Sequence, residues 1–180
     1  MLYGKITGLR ALEREDLKLL RDWRNNPTFR RNFREHRELN LTNQESWFNR
    51  TTSNPNDFMF LIESLDKHEP LGACGLLYTN WLIRSSDFSF YIGHDNLYID
   101  QNYAFDAART LIKYAFNDLN LNKIWMELYE FDTLKIDFFV QKFGFKVDGK
   151  LRQNAFTDGR YWDSHIISLL KEDYSEIVNK

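Results

Sequence analysis

A chain of 180 residues with 26 acidic and 24 basic side chains has the size of one ordinary domain, and its formal net charge of −2 excludes a protein whose main business is coating nucleic acid or an anionic membrane. The single cysteine, Cys74 in the apolar run "PLGACGLLY", excludes an internal disulfide and every multi-cysteine metal site. Hydrophobic residues at 43% and aromatics at 16% suffice for one substantial core and a lined cleft.

The start, "MLYGKITGLRALERED", has no basic segment followed by an apolar run, and no apolar stretch approaches the ~20 residues of a membrane span. A cytoplasmic protein with one domain over residues 1–180 is expected. "ITGLRALE" predicts a first strand, and "REDLKLLRDWRNN" a helix with Leu17, Leu20 and Trp23 on one face, ending near Asn26-Pro27. "TNQESWFNRTTS" matches a capping box from Thr42 to Glu45 and predicts a second helix carrying Trp47 and Phe48. "DFMFLIES" and "PLGACGLLY", joined by "LDKHEP", predict a hairpin. In "SSDFSFYIGHD", Phe88, Phe90 and Ile92 alternate with Ser89, Tyr91 and Gly93, as in a further strand.

The period then changes from two to about 3.6. Ala104, Ala107, Ala108, Leu111, Ile112, Ala115, Phe116 and Leu119 form an apolar stripe of largely small residues, suited to a helix lying close to a sheet. "KIWMELYEF" predicts a strand with Trp125, Glu127 and Tyr129 on one face. "LKIDFFVQKF" predicts a helix ended by Gly144, and "FKVDGKLRQ" and "YWDSHIISLL" two last strands. His36, His68, His94 and His165 have no pair at ligand spacing, so no metal is expected.

In this order, "LRDWRNNPTFRR", "EPLGACGL", "SFYIGHD", "AARTLIKYAFNDLNLNKIWMELYEFD", "KFGF", "DGKLRQ" and "DGRYWDSHIISLL" resemble the GNAT superfamily of acyl-CoA-dependent N-acetyltransferases, in particular its RimJ/RimL-like branch, over nearly the whole chain. The resemblance implies a mixed α/β (α+β) fold: a central, mostly antiparallel sheet with a βαβ core, a splayed strand pair and helices on both faces. It implies acetyl-CoA as donor, with the pantetheine arm between the strands matched by "SFYIGHD" and "KIWMELYEF". The pyrophosphate is placed at the helix beginning near Tyr103, where free amides and the helix dipole favour an anion. Cofactor-binding residues implied are Phe90, Tyr91, Ile92, Asn102, Tyr103, Ala104, Phe105, Asp132, Phe139 and Lys142.

The chain departs from the family pattern twice. The loop pattern of Arg or Gln, two residues, Gly, one residue, then Gly or Ala falls on Ile99 to Ala104, and only Ala104 obeys it. Asn102 stands at the first glycine, where asparagine tolerates a positive φ, and Asp100 can occupy the amides that phosphate needs. At the acid tyrosine stands Val140, so Tyr91, Tyr129, Tyr161 or water is left to protonate the thiolate. Glu127 matches the family's base, and Glu127 and Tyr129 are the catalytic candidates.

Trp23 to Arg37 holds Arg24, Arg30, Arg31, Arg34 and Arg37 against one acid, Glu35, a composition suited to phosphate or carboxylate. Arg30, Arg31, Trp81 and Tyr161 are the acceptor-binding candidates. The expected partner is a primary amine, on a small molecule, a nucleotide-linked amino sugar or a protein N-terminus, which attacks the thioester directly; the chain is expected as a monomer or homodimer. The competing expectation is a non-catalytic binding module that keeps the fold with a weakened CoA site.

Overall fold

The computed structural model describes residues 1–178, with side chains through Tyr174. Eight strands form one sheet in the order β1-β2-β3-β4-β5-β6-β8-β7: β1 Leu2–Tyr3, β2 Thr7–Ala11, β3 Phe58–Ser64, β4 Pro70–Asn80, β5 Ser85–Ile92, β6 Lys123–Tyr129, β7 Lys146–Thr157 and β8 Arg160–Leu170. Every neighbouring pair is antiparallel except β5 and β6. The helices are α1 Leu17–Asn25, α2 Pro27–Arg30, α3 Leu41–Ser53, α4 Tyr103–Lys113, α5 Thr133–Phe143 and α6 Lys171–Val178. The mixed α/β architecture expected from the sequence is the one observed. Among the described residues no helix is long and apolar enough to cross a membrane.

α4 links β5 to β6 and lies against β2, β4 and β5. Its stripe is the reason: Ala104, Ala107, Ala108, Leu111 and Ile112 are all 0% exposed, and the alanines let the helix axis come close to the sheet. Asp106 interrupts the stripe with a purpose, accepting from the amides of Lys5, Ile6 and Thr7 and from Thr7 Oγ1, each at 2.9 Å, so that it ties the N-terminal strands to the helix. After Lys113 the helix widens into a π turn over Tyr114–Asp118.

Two local expectations are corrected, and one is extended. The cap of α3 is Asn40, not Thr42. Asn40 Oδ1 accepts from the Asn43 amide (2.8 Å) and Asn43 Oδ1 from the Asn40 amide (3.2 Å), so asparagines close a box two residues earlier, with Asn40 still extended and Thr42 already helical. Pro27 does end α1 but also opens α2 from the N1 position, where its missing N–H is no loss, with Asn26 as the cap. Asn102 has φ −106; the positive φ values before α4 fall instead on Asp95, Asn96 and Tyr98.

Candidate active site

β5 and β6 pair over only three positions, Ser85 with Lys123, Ser86 with Ile124 and Asp87 with Trp125. Beyond them Phe88–Ile92 stays with β4 and Met126–Tyr129 stays with β8, so the strands part into a V. Along β5 the backbone groups alternate in direction. The Gly93 amide reaches Leu71 on the β4 side, and the polar groups of Phe90 and Ile92 accordingly face the opening: Phe90 O accepts from Lys135 Nζ (2.6 Å) and the Ile92 amide donates to Tyr98 O (2.8 Å). Of the implied cofactor-binding residues Phe90, Tyr91 and Ile92, only Phe90 has an amide facing the opening without a partner, since the Ile92 amide is bonded to Tyr98 O and Tyr91 faces β4.

The floor of the V is aromatic. Phe88 and Phe90 meet Phe139 of α5 edge to face, with centroids 5.6 and 5.8 Å apart, and Phe105 of α4 stacks on Phe143 at 5.1 Å. A 210 Å³ cavity lies above, lined by Asp87, Phe90, Glu127 and Lys135 from the sheet side and α5, and by Arg24, Phe33 and Arg34 from the arginine-rich segment.

Glu127 reaches this cavity because β6 alternates: Ile124, Met126 and Leu128 are buried and the residues between them are not. Its Oε1 accepts from Asn154 Nδ2 (2.6 Å) and Ser164 Oγ (2.8 Å), and Oε2 stands 3.7 Å from Arg34 Nε. Asp87 accepts from Arg34 Nη1 at 2.5 Å. Burial raises the Asp87 carboxyl above the usual carboxylate range, against the pull of Arg34. Asp132, buried at the start of α5, is likewise raised by burial and accepts from Tyr98 Oη at 2.5 Å. Tyr129 packs on Phe131 and lines a second, 750 Å³ cavity with Arg30, Arg31, Arg34, His36 and Asn154. Phe33 and Arg34 are shared by the two cavities, so the larger adjoins the V on the side of Glu127.

At the N-terminus of α4, Asp100 does what its position suggested. Its Oδ2 accepts from the amides of Asn102 and Tyr103 and its Oδ1 from that of Ala104, all at 2.7 to 2.8 Å. The amides that would meet a pyrophosphate are therefore held by a carboxylate of the chain itself. The V is the place where the resemblance puts the pantetheine arm, and the helix N-terminus at its mouth already holds an anion, Asp100.

Several candidates lie elsewhere. Trp81, on the β4–β5 hairpin, donates to Asn56 Oδ1 and packs on Phe58, and Tyr161 is 63% exposed against Phe156 on the β7–β8 hairpin; neither lines the cavities described. Trp81 lies just before the paired start of β5, away from where the strands part, and Tyr161 lies next to the β7–β8 turn. Lys142 is exposed on α5. Arg30 pairs with Glu38, while Arg31 pairs with Asp158 (2.9 Å) and stacks on Phe131. Asp87 and Lys135 were not foreseen; the only sign was a charge inside an otherwise apolar run, "SSDFSFYI" and "LKIDFFV". No group of three metal-ligating side chains occurs among the described residues.

A parallel strand pair that parts over a βαβ core, with a helix N-terminus at its mouth and carboxylates within, defines the class of acyl-CoA-dependent N-acyltransferases. Residues 7–146 match the model of the Acetyltransferase (GNAT) domain, and the chain belongs to that family: it is an N-acetyltransferase that uses acetyl-CoA. A spermidine N(1)-acetyltransferase of Vibrio cholerae is 29% identical over 170 residues, covering 92% of this chain and 94% of that one. The crystal structure of spermidine N-acetyltransferase from Vibrio cholerae in complex with CoA and spermine superposes with a TM-score of 0.85 at 24% identity, over 96% of this chain and 99% of that one. A dodecameric structure of the Vibrio cholerae enzyme in an intermediate state is 25% identical with a TM-score of 0.80, over 95% of this chain and 97% of that one. The GNAT family is thus borne out but not its RimJ/RimL-like branch, since these relatives are spermidine N-acetyltransferases; nor do they support the expectation of a monomer or homodimer.

Proposed function

We propose that the enzyme acetylates the primary amine of a small acceptor that also carries an anionic group, with the amine reaching the V through the 750 Å³ cavity. One observation carries the amine end: Asp87 and Glu127 together hold a cation, the Arg34 guanidinium, inside the V. An acceptor ammonium that displaces Arg34 meets the same two carboxylates, and Glu127 is the base that removes its proton. The Phe90 amide is placed to polarise the thioester carbonyl, so orientation and a fixed dipole supply the rate without a covalent intermediate. Cys74 is no nucleophile, being 0% exposed with its thiol pushed up by burial.

The anionic end rests on Arg30 and Arg31, which line the larger cavity and are held there by Glu38 and Asp158. A polyamine acceptor, as in the spermidine N-acetyltransferase relatives, is the second reading, favoured by the paired carboxylates. The test is acetyl-CoA consumption with spermidine and with phosphorylated or nucleotide-linked amino sugars, alongside calorimetry of acetyl-CoA. The expected outcome is faster turnover of the anionic amines, with Glu127→Gln slowing it by about 100-fold at neutral pH. Turnover confined to spermidine would overturn the acceptor reading, and no heat at millimolar acetyl-CoA would overturn the enzyme as described.

A further inference from the structure

The V contains one more ionisable group that the reaction as described leaves unused. Lys135 lies on the first turn of α5, is 6% exposed, and projects between the parted strands, where its Nζ donates to Phe90 O at 2.6 Å and stands 5.5 Å from the centre of the Tyr98 ring. It lines the same cavity as Glu127 and Asp87. The family's hydroxyl position on this helix is occupied by Val140. The tyrosines near the V are poor substitutes: burial pushes the Tyr91 hydroxyl up to about 12 and raises that of Tyr129, and the Tyr98 hydroxyl, also raised by burial, is engaged as a hydrogen-bond donor to Asp132.

We infer that Lys135 is the proton donor to the departing thiolate, taking over a task that Val140 cannot perform. This rests on the reading that the thioester lies in the V beside Phe90. Glu127 takes one proton from the acceptor's ammonium. The neutral nitrogen bonds to the acyl carbon as the carbon–sulfur bond breaks, and the electron pair leaves on sulfur. Lys135 Nζ supplies the proton that makes the free thiol; the second nitrogen proton passes to water, from which Lys135 is recharged. One proton is released per turnover.

The groups that face Lys135 set its acidity. Asp132 at the cap of α5 and Asp87 on β5 favour the ammonium, while Arg24 of α1 and Arg34 of the α2–α3 segment oppose it; Glu127 on β6 lines the same cavity, and the Tyr98 ring lies alongside. Burial is the largest influence and brings the ammonium down to about 8. An ordinary thiol titrates near ~8.5, so transfer from Lys135 to sulfur is close to level in free energy.

The experiment compares Lys135→Gln with the parent enzyme. Glutamine can still donate to Phe90 O but has no proton to give. The expected result is a fall in kcat of at least about tenfold, loss of the decline in kcat above about pH 8, and an acetyl-CoA Kd from calorimetry changed by less than about threefold. Lys135→Met, which removes the hydrogen bond as well, is expected to be as slow as Lys135→Gln. A Lys135→Gln enzyme with the parent's kcat and pH profile would overturn the inference, as would a loss seen wholly in the acetyl-CoA Kd. Failure of the parent enzyme to bind acetyl-CoA at all would instead count against the function proposed above.

Discussion

Lys135 is an ammonium enclosed by aromatic rings and carboxylates, and its protonation is linked to folding. Its folded value near 8 lies below the 10.5 of a free lysine, so between those pH values the unfolded chain binds a proton that the folded chain does not. The sign follows: stability contributed by this group rises with pH across the window from about 8 to 10.5, and below it the buried charge is destabilising. Melting temperatures of the parent and Lys135→Met, measured at pH 7.5 and pH 10, are expected to show that the variant has lost part of the parent's upward trend; parallel trends would show that Lys135 titrates as a free lysine does. Residues of this kind are where the sequence says least. The face of Glu127 was legible from a strand's period of two and its candidacy from the family resemblance, whereas Asp87 and Lys135 look the same in sequence whether they meet solvent or each other. Arg30 and Arg31 were legible as a basic cluster, but not the acids that meet them, since Asp158 is far along the chain and comes near only through the β7–β8 hairpin.

At the scale of elements, the entrance of α4 is where the family resemblance puts the donor's phosphates. Asp100 satisfies three amides there, so the helix start is stable without a ligand, and phosphates bound at this end would have to displace a carboxylate that is already well placed. One substitution therefore has two effects of opposite sign. Asp100→Ala is expected to lower stability by about 1 kcal/mol through loss of the cap, and to tighten acetyl-CoA by removing a competing anion. Thermal melting and calorimetry on the same preparation measure both, and weaker acetyl-CoA binding in Asp100→Ala would refute this account of the loop. The helix itself was plain from its apolar stripe, and Asp100 was identified as the competitor from its place before that stripe. The backbone of the loop was not legible. Asn102 keeps a negative φ while Tyr98 takes +55, a conformation unfavourable for a bulky residue and held by stacking on Phe29 and by the bond to Asp132. Those partners are 69 and 34 positions away, beyond the reach of local preference.

For the whole molecule, the order of elements sufficed for the family and for an antiparallel front half, because period and turn residues are local signals. Where β5 and β6 stop pairing was not, since no residue in either strand marks the end of three shared positions; the parting comes from β4 and β8 each keeping its own partner. At the two ends of the resulting V, the chain supplies an ion of the same sign as each substrate: Asp100 where phosphate is expected, and Arg34 where the acceptor's ammonium is expected. On the proposed function, and viewed as an equilibrium in solution, the resting enzyme is a small ion exchanger already loaded with its own counter-charges. Binding would then swap like for like, and the number of exposed charges would change little. Added salt weakens the outgoing pair and the incoming one together, so the acceptor KM is expected to change by less than about threefold between 50 and 300 mM salt, where an unopposed surface ion pair would be strongly screened. A tenfold rise would mean that Arg34 stays in place when the acceptor arrives. An enzyme built in this way holds its selectivity across ionic conditions, because its specificity is a difference between two neutral exchanges and not the strength of either charge.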